Sequence, residues 1–463
     1  MKILYFFLTS LLLQSFPTIA QQYPQGEVIP KVVCSADTSE TYALYLPTAY
    51  DKNQSPPILY IFEPMGRAVL GVQVFQKAAE KYGYILACPF NSRNGPMDPI
   101  IAAFNAISED INSKFTLDAK RIYMAGFSGG ARVATTFAME SRAVAGVIAC
   151  GAGFPDGIPP KKHYDFLLIG LVGNTDMNFL EMYELKDKLE ELKFREELLI
   201  FEGGHQWADT STVEMAFQWL ELQEMKAKKV ALNETIIKDF THQNEQKIAN
   251  ASNDFERYQY TKILVNTLKD LTETNDFEEE LQTLAAMKEM KTRQEQRKQA
   301  LKEETPLQEK FVKEFLAINS SPFKGDSTLK NEAWWKREIR QLNKTLAESV
   351  NVEEKWMAAR VLDFVWRNAY IQHTQYNHAT ASAIDLKLAG KYLEIWSYVQ
   401  ENIPAPLYLL AKIYARLDNV KKSIKTLEEA IEKGFKNWDY LKQDADFDAI
   451  REEKKFKELL KGK

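Results

Sequence analysis

The chain has 463 residues, 45% of them hydrophobic and 27% charged, with a formal net charge of −5. That length exceeds what one hydrophobic core serves, so two or three domains of ordinary globular composition are expected. The negative balance, with no basic block, excludes nucleic acid as the main partner.

The first twenty residues are unlike the rest. Lys2 precedes the apolar run from Ile3 to Leu13, and Thr18 and Ala20 frame a cleavage before Gln21. This pattern predicts a signal peptide over 1–20, too short for a stable membrane span, and a periplasmic or secreted mature chain. No cysteine follows the apolar run, which argues against a bacterial lipid anchor. No later stretch is long and apolar enough to cross a bilayer, so no membrane span is expected after signal cleavage. The three cysteines, Cys34, Cys88 and Cys150, leave at least one free thiol and show no metal-ligand spacing. Neither a metal nor another cofactor is predicted.

Tyr42 to Leu46 alternates and ends at Pro47, before the polar, turn-rich stretch from Asp51 to Pro57. That reads as a hairpin or an edge strand. Ile58–Phe62 is a buried-strand run; a helical pattern follows through Val74, Ala78 and Tyr82, and Tyr84–Ala87 is the next strand. Phe104–Ile111 has helical spacing, Ile122–Ala125 is a short apolar run, and Ala145–Ala149, Phe166–Val172 and Leu198–Phe201 are further strands. Met215–Leu222 closes the series as a helix. Strands alternating with helices at this tempo imply right-handed crossovers, a mostly parallel sheet and helices on both faces. Such sheets carry their sites at the carboxyl ends of the strands.

One strand runs straight into Gly126-Phe127-Ser128-Gly129-Gly130, and Ala131, Val133, Ala134, Phe137 and Ala138 follow at helical spacing. A serine between a strand and a helix sits on a very tight turn, with glycines where side chains would strike the neighbouring elements. That turn lifts Ser128 above the sheet, with a helix N-terminus behind it to favour negative charge. Two later strands end in Gly173-Asn174-Thr175-Asp176 and Glu202-Gly203-Gly204-His205. The chain order Ser128, Asp176, His205, each after a strand, suits a nucleophile, the acid that orients a base, and the base itself. Asp209 and Asp165 are alternative acids, although Asp165 precedes its strand.

Tyr42 to Pro47, Ile58 to Pro64, Leu117 to Gly130, Gly173 to Asp176 and Gly203 to His205 resemble the α/β-hydrolase superfamily. Within it they are most similar to the esterases related to polyhydroxybutyrate depolymerase and dienelactone hydrolase. The resemblance covers roughly 27–222 and implies an α/β-hydrolase fold with a catalytic Ser128, Asp176 and His205. Many such enzymes have His-Gly after the third strand, where this chain has Glu63-Pro64-Met65-Gly66. Pro64 has no N–H, so the resemblance implies an oxyanion hole of Gly129 with Met65 or Gly66. Only Gly151 to Asp165 separates two successive strands at the place where lids are often inserted, so no lid insertion is expected.

From about Gln223 the chain is rich in Lys, Glu, Gln, Leu and Ala, with little glycine. Lys291 to Glu304 is nearly all polar and reads as a solvated helix or a linker. Pro322 and Gly325 mark a break, and Trp334, Trp335, Trp356 and Trp366 read as helix-packing residues. Leu407, Leu410, Ala411, Tyr414, Ser423, Leu427 and Ala430 resemble the 34-residue tetratricopeptide repeat, with Ala389, Leu393 and Trp396 one period upstream.

The expected organisation is a signal peptide (1–20), an α/β-hydrolase domain (21–228), a helical linker region (229–350) and an all-α, tetratricopeptide-repeat-like domain (351–463). The leading reading is a serine hydrolase of a small-molecule or polymeric carboxylic ester, with a helical repeat surface open to a protein partner. Two others stay open. One is a serine peptidase with the same triad; the other is a binding or scaffold protein whose helical half carries the function.

Overall fold

A computed structural model describes residues 23–320 and 331–461, so the signal segment, its cleavage before Gln21, and the break at Pro322 and Gly325 lie outside the described residues. The first half alternates as expected: β1 (Val28–Val33), β2 (Thr41–Tyr45), β3 (Ile58–Phe62), α1 (Ala68–Tyr82), β4 (Ile85–Pro89), α2 (Met97–Lys114), β5 (Ile122–Phe127), α3 (Gly129–Glu140), β6 (Val144–Cys150), β7 (Leu167–Gly173), α4 (Phe179–Glu191), β8 (Glu196–Phe201) and α5 (Thr210–Lys226). They form one eight-stranded sheet of order β1-β2-β4-β3-β5-β6-β7-β8. The pairs β1–β2 and β2–β4 are antiparallel, and every other pair is parallel. That order, with helices on both faces, is the α/β-hydrolase fold.

Strands β3, β4, β5, β6 and β7 are apolar along their whole length because both faces are covered. On one face, Val72 and Phe75 of α1 and Phe217 and Leu220 of α5 join Leu59, Ala125 and Ile148 in one core. On the other, Ile107 of α2 and Ala134 and Phe137 of α3 meet Phe62, Met124 and Val147. Strand β1 has no counterpart among the elements expected from sequence. Pro30 interrupts its pattern, and its pairing with β2 slips between Ile29 and Val32, which an edge strand tolerates. Cys34, Cys88 and Cys150 are all free and buried.

The remainder is helical: α6 (Glu234–Ala249), α7 (Asp254–Leu268), α8 (Asn275–Ala286), α9 (Lys288–Ser320), α10 (Glu332–Glu348), α11 (Val352–Tyr376), α12 (Ala383–Val399), α13 (Ala405–Arg416), α14 (Val420–Glu432), α15 (Trp438–Gln443) and α16 (Lys454–Leu460). Phe240 of α6 and Leu264, Val265 and Leu268 of α7 belong to the same core as α1 and α5. These two helices are therefore continuous with the sheet's packing. Phe311, Phe315, Trp334 and Trp335 join residues of α11 and α12 in a separate core. In the α13–α14 pair, Leu407, Ala411, Leu427 and Ala430 are buried. Ser423 Oγ donates to the Ala411 carbonyl at 2.8 Å, which lets the two helices close up.

The polar stretch Lys291–Glu304 is a helix whose residues are mostly exposed, in keeping with one of its two readings, but three of its side chains are buried. It lies in the N-terminal half of α9, a 33-residue helix in which Arg297, Ala300 and Glu304 are buried. Arg293 and Arg297 pair with Glu353, and Glu304 with Arg360, partners distant in sequence that composition does not reveal.

Two measurements follow from this packing. A side chain at Gly130 would collide with the carbonyl of Phe62 at the end of β3. Gly130→Val should therefore lower stability by more than about 2 kcal/mol, and chemical denaturation giving an unchanged midpoint would refute that tight approach. The second concerns edge strand β8. Burial pushes the carboxyls of Glu196 and Glu197 up to about 8 and about 7, with Glu197 adding repulsion to Glu196. In the unfolded chain glutamate titrates near ~4.3, so in between the folded state holds more protons and stability falls as pH rises. Glu197→Gln should flatten the decline of melting temperature between about pH 5 and about pH 7; parallel curves for variant and wild type would contradict it.

Candidate active site

Ser128 stands between β5 and α3 with φ 53° and ψ −121°, a left-handed conformation that a non-glycine residue adopts only when its surroundings enforce it. The enforcement is visible on both sides. Side chains at Gly126 or Gly130 would collide with the main chain of Gly130 or Phe62. The Ser128 N–H donates to the Cys150 carbonyl of β6 at 2.8 Å, which ties the turn to the sheet. Ser128 is left half-buried at the carboxyl end of the sheet.

The loops after β7 and β8 bring the other two side chains to it. His205 Nε2 lies 2.9 Å from Ser128 Oγ, and His205 Nδ1 lies 2.9 Å from Asp176 Oδ1. Asp176 is fully buried and His205 is 8% exposed. An ionised carboxylate only accepts, so Nδ1 carries the proton toward Asp176 and Nε2 is left to accept from the Ser128 hydroxyl. The Asn178 N–H donates to Asp176 Oδ1 at 2.8 Å, while Oδ2 has no partner among the described residues. The ring of Phe127 lies 4.6 Å from the imidazole, centre to centre, and holds it from one side.

The two loops also hold each other. Asn174 Oδ1 accepts from the Gly203 N–H at 3.2 Å, and Thr175 Oγ1 donates to the Gly203 carbonyl at 2.8 Å. A side chain at Gly173 would collide with the carbonyl of Gly203. The alternative acids are occupied elsewhere. Asp209 caps α5, accepting from the N–H groups of Ser211 and Thr212. Asp165 pairs with Arg195 at 2.7 Å in an exposed position.

The turn after β3 corrects an expectation. Glu63 is fully buried, and its Oε2 accepts from the Met65 N–H at 2.9 Å and the Arg67 N–H at 2.8 Å. The Gly66 N–H donates to the Glu63 carbonyl at 3.0 Å. Neither Met65 nor Gly66 therefore presents a free donor beside Gly129. The motif does not show this, because it depends on where the Glu63 carboxylate folds back. Gly129 itself opens α3, and the first N–H groups of a helix lack intrahelical acceptors.

No element is inserted between β6 and β7, but the site is covered from elsewhere. Arg367 of α11 donates to the His205 carbonyl at 3.0 Å, and Arg360 of α11 donates to the Asn174 carbonyl at 3.1 Å. Arg360 is buried, pairs with Glu304 of α9 at 2.7 Å, and lies over the Phe179 ring at 4.6 Å. Asp363, paired with Arg367, has its carboxyl raised by burial, and Asp176 adds to the rise. Phe364 of α11 also faces Arg132, Phe154, Ile158 and Met177 across a cavity of about 770 Å³ beside the Asp176 loop. Sequence reasoning missed both arginines, which look like ordinary charges on a helix. Among the described residues no group of three or more His, Cys, Asp or Glu side chains is placed to hold a metal ion.

No protein-family model and no curated protein matches the sequence. Among solved structures, a thermostable esterase aligns at 17% identity with a TM-score of 0.35 over 41% of this chain. The chain spans 61% of that esterase's length. S-formylglutathione hydrolase (FrmB) from Staphylococcus aureus aligns at 13% identity and a TM-score of 0.33, covering 39% of this chain and 90% of its own. Est1E from Butyrivibrio proteoclasticus aligns at 12% identity and a TM-score of 0.33, covering 42% and 98% respectively.

The buried pair under the site has a measurable cost when broken. Arg360→Met strands Glu304 without its cation and should lower unfolding free energy by about 3–5 kcal/mol, with Arg360→Met/Glu304→Leu recovering most of the loss. Urea denaturation of the three proteins decides it. A single variant as stable as wild type would mean that the pair does not hold α11 in place.

Proposed function

We propose that this chain is a serine hydrolase of carboxylic esters. The observation that carries the reading is the line of hydrogen bonds from buried Asp176 through His205 to Ser128 Oγ, each 2.9 Å long. In this reading Ser128 Oγ attacks the ester carbonyl as His205 Nε2 takes its proton. Asp176 keeps the imidazole in the required tautomer and stabilises its charged form. His205 then protonates the departing alcohol, and water repeats the cycle on the acyl-enzyme.

The surroundings of the triad suit this chemistry. The helix α3 N-terminus favours the charge that develops beside Ser128. In the neighbouring cavity Phe154, Ile158, Met177 and Phe364 offer an apolar surface to an acyl or alcohol group, beside the charged Arg132, Asp156 and Glu181. Because Phe364 belongs to α11, the helical half forms part of that wall and shapes what enters. The N-terminal apolar segment supports export, with action in the periplasm or outside the cell. The α13–α14 pair, read as a tetratricopeptide-like repeat, packs onto the α9–α12 core through Leu410 and Ile413 of α13 and offers a helical surface to a protein partner.

The test needs no substrate guess. A fluorophosphonate probe should label the wild-type protein at one residue, and Ser128→Ala should abolish the labelling. On a small activated ester, Ser128→Ala and His205→Ala should lower kcat about 10⁴–10⁶-fold, and Asp176→Asn about 10⁴-fold, with melting temperatures preserved. Labelling that persists in Ser128→Ala would refute the assignment of the nucleophile.

A further inference from the structure

Acyl transfer puts negative charge on the former carbonyl oxygen, and preorganised donors must meet it there. Gly129 N–H supplies one donor, and the N–H groups of Met65 and Gly66 are held by Glu63. The loop between β4 and α2 brings a different group against Gly129. Ser92 is buried, and its Oγ, with one proton to donate, lies between the carbonyls of Glu63 at 3.0 Å and Pro89 at 3.1 Å. Two residues on, the Asn94 N–H donates to the Pro64 carbonyl at 2.8 Å. The loop is thus pinned to the turn after β3, with the Asn94 side chain facing the start of α3.

There the Asn94 carboxamide lies directly against Gly129. A side chain at Gly129 would collide with Asn94 Oδ1 and stand 3.0 Å from Asn94 Nδ2. No hydrogen bond reaches this carboxamide from any described residue, so its two N–H donors are uncommitted. A half-turn about χ2 exchanges its oxygen and nitrogen, so Nδ2 can be turned toward a charge that forms beside Gly129.

We propose that Asn94 is the second oxyanion donor, acting with the Gly129 N–H, a role that rests on the hydrolase reading above. As the bond from Ser128 Oγ to the carbonyl carbon forms, the carbonyl π pair moves onto oxygen and the serine proton moves to His205 Nε2. Asn94 Nδ2–H and Gly129 N–H bind that oxyanion. When the intermediate collapses, the pair returns, the bond to the alcohol oxygen breaks, and that oxygen takes the proton from His205. The glycine at 129 then has a specific cause: any side chain there would push the amide aside. Glu63 has one as well, since it holds rigid the turn to which the Asn94 loop is pinned.

The experiment compares wild type, Asn94→Ala, Asn94→Asp and Ser128→Ala with p-nitrophenyl acetate and a fluorophosphonate probe. Asn94 is exposed, so its variants should melt with the wild type. Asn94→Ala should lower kcat about 10²–10³-fold, with KM changed by less than about threefold, because the contact exists only in the transition state. Asn94→Asp should be at least as impaired, since it offers a negative oxygen where a donor is needed. A trifluoromethyl ketone, whose adduct with Ser128 carries the same oxyanion, should lose affinity for Asn94→Ala by a similar factor. Ser128-dependent turnover with kcat in Asn94→Ala within about threefold of wild type would overturn the role of Asn94 and leave the hydrolase reading standing. A wild-type Ser128 that the fluorophosphonate never labels would overturn both.

Discussion

At one point in this molecule a strand, a turn and a helix approach so closely that no side chain fits between them. Gly126 and Gly130 are forced by that approach, and Ser128 is held at φ 53° because its neighbours leave no other path. The strain belongs to the turn and is offset by the two apolar layers on either face of the sheet. The Ser128 hydroxyl is therefore presented by a turn that close packing and the bond to the Cys150 carbonyl hold in place. The histidine and aspartate arrive on loops, and loops need support.

That support comes from two directions. Within the sheet half, Asn174, Thr175 and Gly203 bind the loops after β7 and β8 to each other. From the helical half, Arg360 and Arg367 each reach one of those loops at a main-chain carbonyl. A carbonyl contact positions a loop without competing for the side chains that would do chemistry. Arg360 can take part while buried because Glu304 neutralises it. An uncompensated guanidinium at that depth would not be tolerated. Helix α11 therefore reaches the two loops through charged side chains, α9 adds Leu301 against Val172 and Phe179, and α6 and α7 join the sheet by apolar packing.

Much of this was legible in the residues, and the division follows the range of the interactions. Parallel strands buried on both faces announce themselves as apolar runs, and a serine flanked by glycines between strand and helix demands a turn too tight for side chains. Asp176 and His205 were legible because each directly follows such a run. What was hidden depended on side chains meeting across long distances. Glu63 reads as a departure from a familiar motif, yet its carboxylate folds back on two N–H groups of its own turn. Arg360, Arg367 and Glu304 have the spacing of solvated helix charges, and only the tertiary fold buries or engages them. Strand β1 escaped notice because Pro30 breaks the alternation on which strand recognition rests.

The arginine contacts of α11 also impose an order of events on a newly made chain. Asn174 and Arg360 are 186 positions apart, and His205 and Arg367 are 162 apart. Synthesis delivers the chain from its N-terminus, so the sheet and Ser128, Asp176 and His205 exist well before the helix that contacts their loops. Closing loops of that length costs entropy, which the packing of the later helices must offset. Maturation of the site is thus tied to completion of the polypeptide. A chain interrupted before α11 would carry Ser128, Asp176 and His205 on loops held only by each other.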